Sequence, residues 1–153
     1  MNKIKSFVTV FAALILATAC SKDEPVIEYL TVTANNIAGS WELVKWNGED
    51  LEEGSYFYIE FVRKDKLFTI EQNFDSMSDY PHVVTGRFDI EPDTRYNEQT
   101  KKVEDVSYIT GLYDYDEGFW AHKYEVRKLT VDSMEWVAVE DSVEFVQQFV
   151  RRK

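Results

Sequence analysis

The chain has 153 residues, 28 acidic against 17 basic, and a formal charge of −11. A body this acidic excludes a general binder of phosphate backbones, which needs lysine and arginine to displace counterions. Its ten phenylalanines, nine tyrosines and four tryptophans exclude the opposite extreme, an acidic tail with too little apolar surface to fold.

Met1 to Ser6 is a short basic stretch carrying Lys3 and Lys5, and Phe7 to Ala19 is apolar apart from Thr9 and Thr18. That apolar run is shorter than the ~20 residues a bilayer-spanning helix needs. Residues 1–19 therefore read as a cleaved export signal. Its removal takes both lysines and leaves the remainder at −13, from −11 for the whole chain. The end of the run, Ala17-Thr18-Ala19-Cys20, satisfies the rule for an ordinary cleavage site. It also resembles the lipobox of bacterial lipoproteins, although the commonest lipobox has leucine where Ala17 stands. The resemblance implies that Cys20 becomes the mature N-terminus and carries a covalent diacylglycerol and an N-acyl chain. Cys20 is the sole cysteine, so no internal disulfide is open to it. Acylation also removes the oxidation hazard of a lone exported thiol. Several acyl chains on one residue make a firm membrane anchor, where one chain is marginal. No other cofactor is expected.

Residues 20–36 read as the lipidated cysteine and a tether. Ser21-Lys22-Asp23-Glu24-Pro25 is charged and ends in proline, the composition of a solvated linker. It resembles the serine-lysine-acid runs that follow the lipidated cysteine in surface-displayed lipoproteins of Bacteroidetes. That implies an outer-membrane location with exposure at the cell surface. Val26 to Thr33 is apolar and β-branched enough to pair as an edge strand.

Residues 37–153 read as one all-β domain, because the apolar period is near 2 and not 3.6. Ser55 to Arg63 and Leu67 to Gln72 are β-branched or aromatic runs. Val84, Gly86, Phe88 and Ile90 alternate with polar residues, and Tyr108 to Tyr113 is a further run. Tyr124 and Val126, then Met134, Trp136 and Ala138, then Val143, Phe145, Gln147 and Phe149 mark three more. Turn signals lie at Asn47-Gly48, Glu53-Gly54, Arg63 to Lys66, Asp75 to Pro81, Pro92-Asp93, Asp116 to Gly118, Asp132-Ser133 and Asp141-Ser142. No amphipathic helix of useful length stands out. About eight strands with short links favour antiparallel pairing. Such a sheet hides its edges best as an up-and-down β-barrel, with a β-sandwich as the alternative.

Asn36-Ile37-Ala38-Gly39-Ser40-Trp41-Glu42-Leu43 resembles the G-x-W opening of the first lipocalin strand. In that family the tryptophan plugs the closed end of the barrel, and an arginine near the last strand stacks over it. The resemblance implies barrel closure by Gly39, Trp41 and Arg151. Arg151 shares the parity of Phe145 and Phe149 and so points inward with them, whereas Arg127 has the parity of Glu125. From Ile37 to Arg152 the body is similar in pattern to small lipocalin-like lipoproteins of Bacteroidetes. It departs from standard lipocalins in having no helix after the last strand and no disulfide.

No catalytic constellation is present, and no enzyme is expected. His82 and His122 are isolated and lack metal-ligand spacing. Asp114, Asp116, Glu117, Gly118 and Glu125 partly match a calcium loop, but glycine is fifth where an EF-hand needs it sixth, which favours an acidic turn. Glycine-rich phosphate loops and a G-x-S-x-G elbow are absent from the sequence. What remains is aromatic: Tyr56, Phe57, Tyr58, Phe61, Phe88, Tyr124 and Trp136. A small eight-stranded barrel is either filled by side chains or holds one small ligand. If a ligand is held, Tyr58, Phe88, Tyr124, Trp136 and Gln147 are the expected contacts, apolar walls with a few polar handles. Gly86 either leaves room for it or permits a bend. Two readings stay open. One is a membrane-anchored module that binds a small apolar or amphipathic molecule. The other is an accessory protein with a filled barrel that docks a surface protein partner. Neither involves nucleic acid.

Overall fold

The structure is a computed structural model that describes residues 25–74, 82–115, 118–140 and 142–153. The expected export signal, Cys20 and the Ser21 to Glu24 stretch lie outside the described residues, as do Asp116 and Glu117. The strands are β1 Gly39–Trp46, β2 Glu49–Asp50, β3 Tyr56–Val62, β4 Leu67–Asn73, β5 His82–Asn97, β6 Lys102–Tyr113, β7 Tyr124–Leu129, β8 Ser133–Glu140 and β9 Val143–Arg151. Consecutive strands from β3 to β9 pair antiparallel, and β1 pairs with β3 on one side and with β9 on the other. The result is a closed eight-stranded barrel; the two-residue β2 adds only to the end of β1, through Lys45 and Trp46. Closure leaves no long sheet edge to protect, which is the physical reason the barrel prevails over the sandwich.

Strand alternation decides what lies inside. Trp41, Leu43, Ile59, Phe61, Phe68, Ile70, Phe88, Ile109, Met134, Trp136 and Phe149 are all buried, each in phase with its inward neighbours. The Asn47-Gly48 turn behaves as its sequence demands: both residues have positive φ, 52° and 84°, the geometry of a tight hairpin turn that Asn-Gly favours.

Pro92-Asp93 is not a turn. β5 continues through it to Asn97, with Pro92 opposite Ser107. Arg87 is the last β5 residue paired to β4, so Pro92 lies where the strand has β6 as its only neighbour. Sheets tolerate proline at such one-sided positions. β6 shares only two register pairs with β7, Tyr108 with Glu125 and Ile109 with Tyr124, so the outer half of this long hairpin departs from the barrel wall.

The segment before β1 is not an edge strand. One backbone bond, from Leu30 N to Leu129 O at 2.7 Å, ties it to β7. Leu30, Val32 and Ala34 nevertheless pack against the core, so the packed body begins near Leu30 and not at Ile37. A single helical turn, α1 Ala34–Ile37, follows, with the Thr33 side chain accepting from the Asn36 N–H. α1 delivers Ile37, fully buried, onto one end of the barrel. That end also carries the start of β1, the β3–β4 and β7–β8 turns and the last residues of β9. The β1–β2 turn and the stretches after β4, β6 and β8 surround the other end.

Candidate functional site

The two ends of the barrel differ in kind. At the α1 end, Trp41 is fully buried and its Nε1 donates to the Ile37 carbonyl at 2.8 Å. Arg151, the register partner of Trp41 across β1 and β9, lies over the indole with Cζ 4.1 Å from the ring centroid. Its guanidinium donates to the carbonyls of Val131 at 2.6 Å, Ala38 at 2.7 Å and Asn36 at 3.2 Å. Gly39 has φ +120°, and a Cβ there would lie 2.3 Å from Arg151 Nη1. The structure thus brings Gly39, Trp41 and Arg151 together as a seal. Arg127 is elsewhere: it sits on the outer wall, donating to Glu144 at 2.6 and 3.0 Å and to Glu125 at 3.3 Å.

At the opposite end the barrel is hollow. A cavity of about 410 Å³ opens between Phe57, Ile70 and Gln72 on one wall and Tyr124, Trp136 and Gln147 on the other. Trp46 and Phe74 meet edge to face at 5.9 Å on its rim. A smaller recess of about 130 Å³ shares Trp46, Tyr124 and Gln147 and reaches His122 and Phe145.

Contacts between the wall residues fix the cup's chemistry. Tyr124 and Trp136 are stacked, with centroids 4.7 Å apart and planes 22° apart. Trp136 Nε1 donates to Gln147 Oε1, which orients the carboxamide and leaves its NH₂ as the group able to donate elsewhere. Burial pushes the Tyr124 hydroxyl up to about 12, so it stays protonated at every physiological pH. Trp120 comes from the link between β6 and β7 and meets Tyr124 and Trp136 edge-on at 6.0 and 5.9 Å. Gly111 makes room for it, since a Cβ there would lie 2.1 Å from Trp120 Cε2. Among the described residues, no charged side chain lines the larger cavity. Among the described residues no group of His, Cys, Asp or Glu could hold a metal ion.

The expected ligand contacts divide. Tyr124, Trp136 and Gln147 converge on the cup. Phe88 does not: it is buried deeper in the barrel, packed on Phe61 at 5.0 Å. Tyr58 lies on the outer face, because the inward positions of β3 are Phe57, Ile59 and Phe61. There it stacks on Tyr56 at 4.9 Å, under the Arg152 guanidinium at 3.8 Å. Gly86 gives a ligand no room. A Cβ there would lie 2.1 Å from the Leu112 carbonyl and 2.6 Å from Phe68, so the glycine admits the Phe68 ring. Phe57, one of the aromatics the sequence singles out, also lines the cup, whereas Trp46, Ile70, Gln72, Phe74 and Trp120 are cup residues that it does not single out. Phe57 and Ile70 carry the inward alternation signal; Trp120 belongs to no strand and shows none.

Comparison with protein-family models, with curated proteins and with solved structures finds no match. The closed antiparallel barrel is compatible with a lipocalin-like fold.

Proposed function

We propose that the protein is a lipid-anchored, lipocalin-like module of the outer membrane that takes one small neutral molecule into the open end of its barrel. The observation that carries this reading is the cup of about 410 Å³ walled by Tyr124, Trp136, Phe57 and Gln147, opposite a sealed end. Its volume lies within the range of pockets that bury small ligands. Aromatic walls favour a flat apolar or amphipathic molecule. The Gln147 amide and the Tyr124 hydroxyl can each donate, so a carbonyl or ether oxygen suits the ligand. A neutral ligand suits the cup better than an ionised one, because the described lining holds no counter-charge. The anchor rests on the lipobox-like Ala17-Thr18-Ala19-Cys20 and the charged run behind it.

Native mass spectrometry of the protein purified from its own membrane tests the binding. A bound neutral small molecule, lost when Gln147 and Tyr124 are replaced, is the expected result. A bare protein that also fails to take up any neutral aromatic compound in solution sinks the reading. Metabolic labelling with a fatty-acid analogue tests the anchor: the wild type takes label and Cys20→Ala does not. Protease added to intact cells tests surface exposure. The outward Tyr56–Tyr58 stack favours a second reading, a docking face for another protein, and a co-purifying protein in the same spectra supports it.

A further inference from the structure

The acidity of the chain is not evenly spread. Around the sealed end stand Arg63, Lys64 and Lys66 of the β3–β4 turn, together with Arg152 and Lys153 after β9, all exposed. Strand order makes them neighbours, because β3 and β9 flank β1 on either side. Arg63 donates to Asn35 of α1 at 3.1 Å, and Arg152 N donates to Ser40 O at 2.9 Å. Among the described residues Arg63, Lys64, Arg152 and Lys153 form no ion pair, while Lys66 pairs with Asp89. The acids nearby include Asp65, Glu28 and Asp132; Glu98, which is paired with Lys101; and Glu42 and Glu60, whose register partners Tyr58 and Ser40 lie against Arg152. Among the described residues the open end is the reverse: Glu49, Asp50, Glu52, Glu53 and Asp114 face water there, against Lys45, paired to Asp50, and Lys123, paired to Glu91. Arg63, Lys64, Arg152 and Lys153 therefore give the sealed end a basic rim, while among the described residues exposed acids outnumber bases around the hollow end.

The chain enters at the positive end. Pro25 stands five residues after Cys20, at most about 18 Å of extended chain. Val26, Ile27 and Tyr29, just beyond, are 95%, 62% and 55% exposed, apolar side chains that the barrel does not cover. We infer that the sealed end is a membrane-contacting face. Its basic residues meet anionic phospholipid headgroups, and Val26, Ile27 and Tyr29 enter the interfacial layer. This rests on the lipid-anchor reading for its setting, since the tether holds the face close enough for charges screened over about 8 Å to act. The acidic open end is turned away from the bilayer by the same field, so the cup faces water.

The test uses the chain from Ser21 onward, without lipid, which keeps every core residue. It is mixed with vesicles of phosphatidylcholine alone, or with about one-third phosphatidylglycerol, and sedimented. At low salt the anionic vesicles should bind it at least about tenfold more than the neutral ones, with the difference lost at about 0.5 M salt. Lys64→Glu and Lys153→Glu combined touch no ion pair among the described residues; they should abolish the difference with the near-ultraviolet circular dichroism unchanged. Lys45→Glu, at the open end, should leave the difference in place. Equal binding to both vesicles, or a charge reversal without effect, overturns the inference. The anchor is scored separately, by flotation of the full lipidated protein with neutral vesicles; its failure there would remove the anchor and leave the vesicle result to judge the basic face alone.

Discussion

Arg151 lies over the indole of Trp41, its Cζ 4.1 Å from the ring centroid, and the two residues are also register partners across β1 and β9. The same guanidinium ties together three carbonyls from α1, the residue before β1 and the β7–β8 turn. Arg151→Ala should therefore cost about 2–4 kcal/mol of unfolding free energy. Arg151→Lys keeps the charge but loses the planar fork, and should fall between the two. Urea unfolding followed by tryptophan fluorescence measures both; an Arg151→Ala protein as stable as the wild type contradicts the seal.

Gly39 is coupled to that arginine. A methyl group there collides with Nη1 at 2.3 Å, on a backbone with φ +120°. Gly39→Ala should cost about 2 kcal/mol or more. In the Arg151→Ala background the collision is gone and only the backbone strain remains, so the second cost should be smaller. A double-mutant cycle reads this directly; strictly additive losses speak against the contact.

Tyr124 should be among the last of the tyrosines to ionise. Its folded value, about 12, lies above the unfolded value of 10.0 because of burial. A raised value favours the folded state fully below pH 10 and loses that contribution as pH rises through 12. A spectrophotometric titration should show a late phenolate step that Tyr124→Phe removes. If the step is still present in Tyr124→Phe, the assignment fails.

Gln147→Leu should damage both the wall and the ligand. It leaves the Trp136 indole N–H without its acceptor, at a cost of about 1–3 kcal/mol. It also removes the amide donor, so affinity for a flat aromatic ketone should fall about tenfold, while a hydrocarbon of the same shape should be less affected. Isothermal calorimetry with the pair of compounds separates the two effects. Equal losses for both compounds indicate a collapsed cup and not a missing donor.

The segment before β1 should matter to stability. A chain beginning at Ile37 lacks Leu30, Val32 and Ala34, which pack on the core. It should be less stable than one beginning at Pro25 by about 3 kcal/mol. Equal denaturation midpoints would show that the segment is only a tether.

The barrel was legible from alternation, because a strand with one wet and one dry face writes its parity into the residue order. Val84 to Ile90 and Val143 to Phe149 show this most openly. The same parity carried Arg151 to the seal. Tyr58 obeys the same rule: it alternates with Phe57 and Ile59 and so faces out, away from the cup. Depth along the barrel is a different matter. Phe88 and Trp136 share the inward phase, yet only Trp136 reaches the cup, because strand tilt and register set height and neither is written in one strand alone. Gly86 illustrates a further gap. Its vacancy is filled by Phe68 from the neighbouring strand, a fact of pairing and not of local sequence. Trp120 could not be placed in advance, since the residue that receives it, Gly111, is identifiable only once the link between β6 and β7 is seen to fold back.

The interior is divided into a packed lower part, around Trp41, Phe61, Phe88 and Phe149, and a hollow upper part around Tyr124 and Gln147. Substitutions at Phe57, Gln72 or Phe74 alter the upper part without touching Gly39, Trp41 or Arg151. On the proposed ligand-binding reading, selection on the contents of the cup is thus largely separated from selection on the seal. On that same reading, descendants of this barrel can change their ligand by ordinary single steps, and the seal at the far end supplies the reserve of stability against which such steps are tolerated.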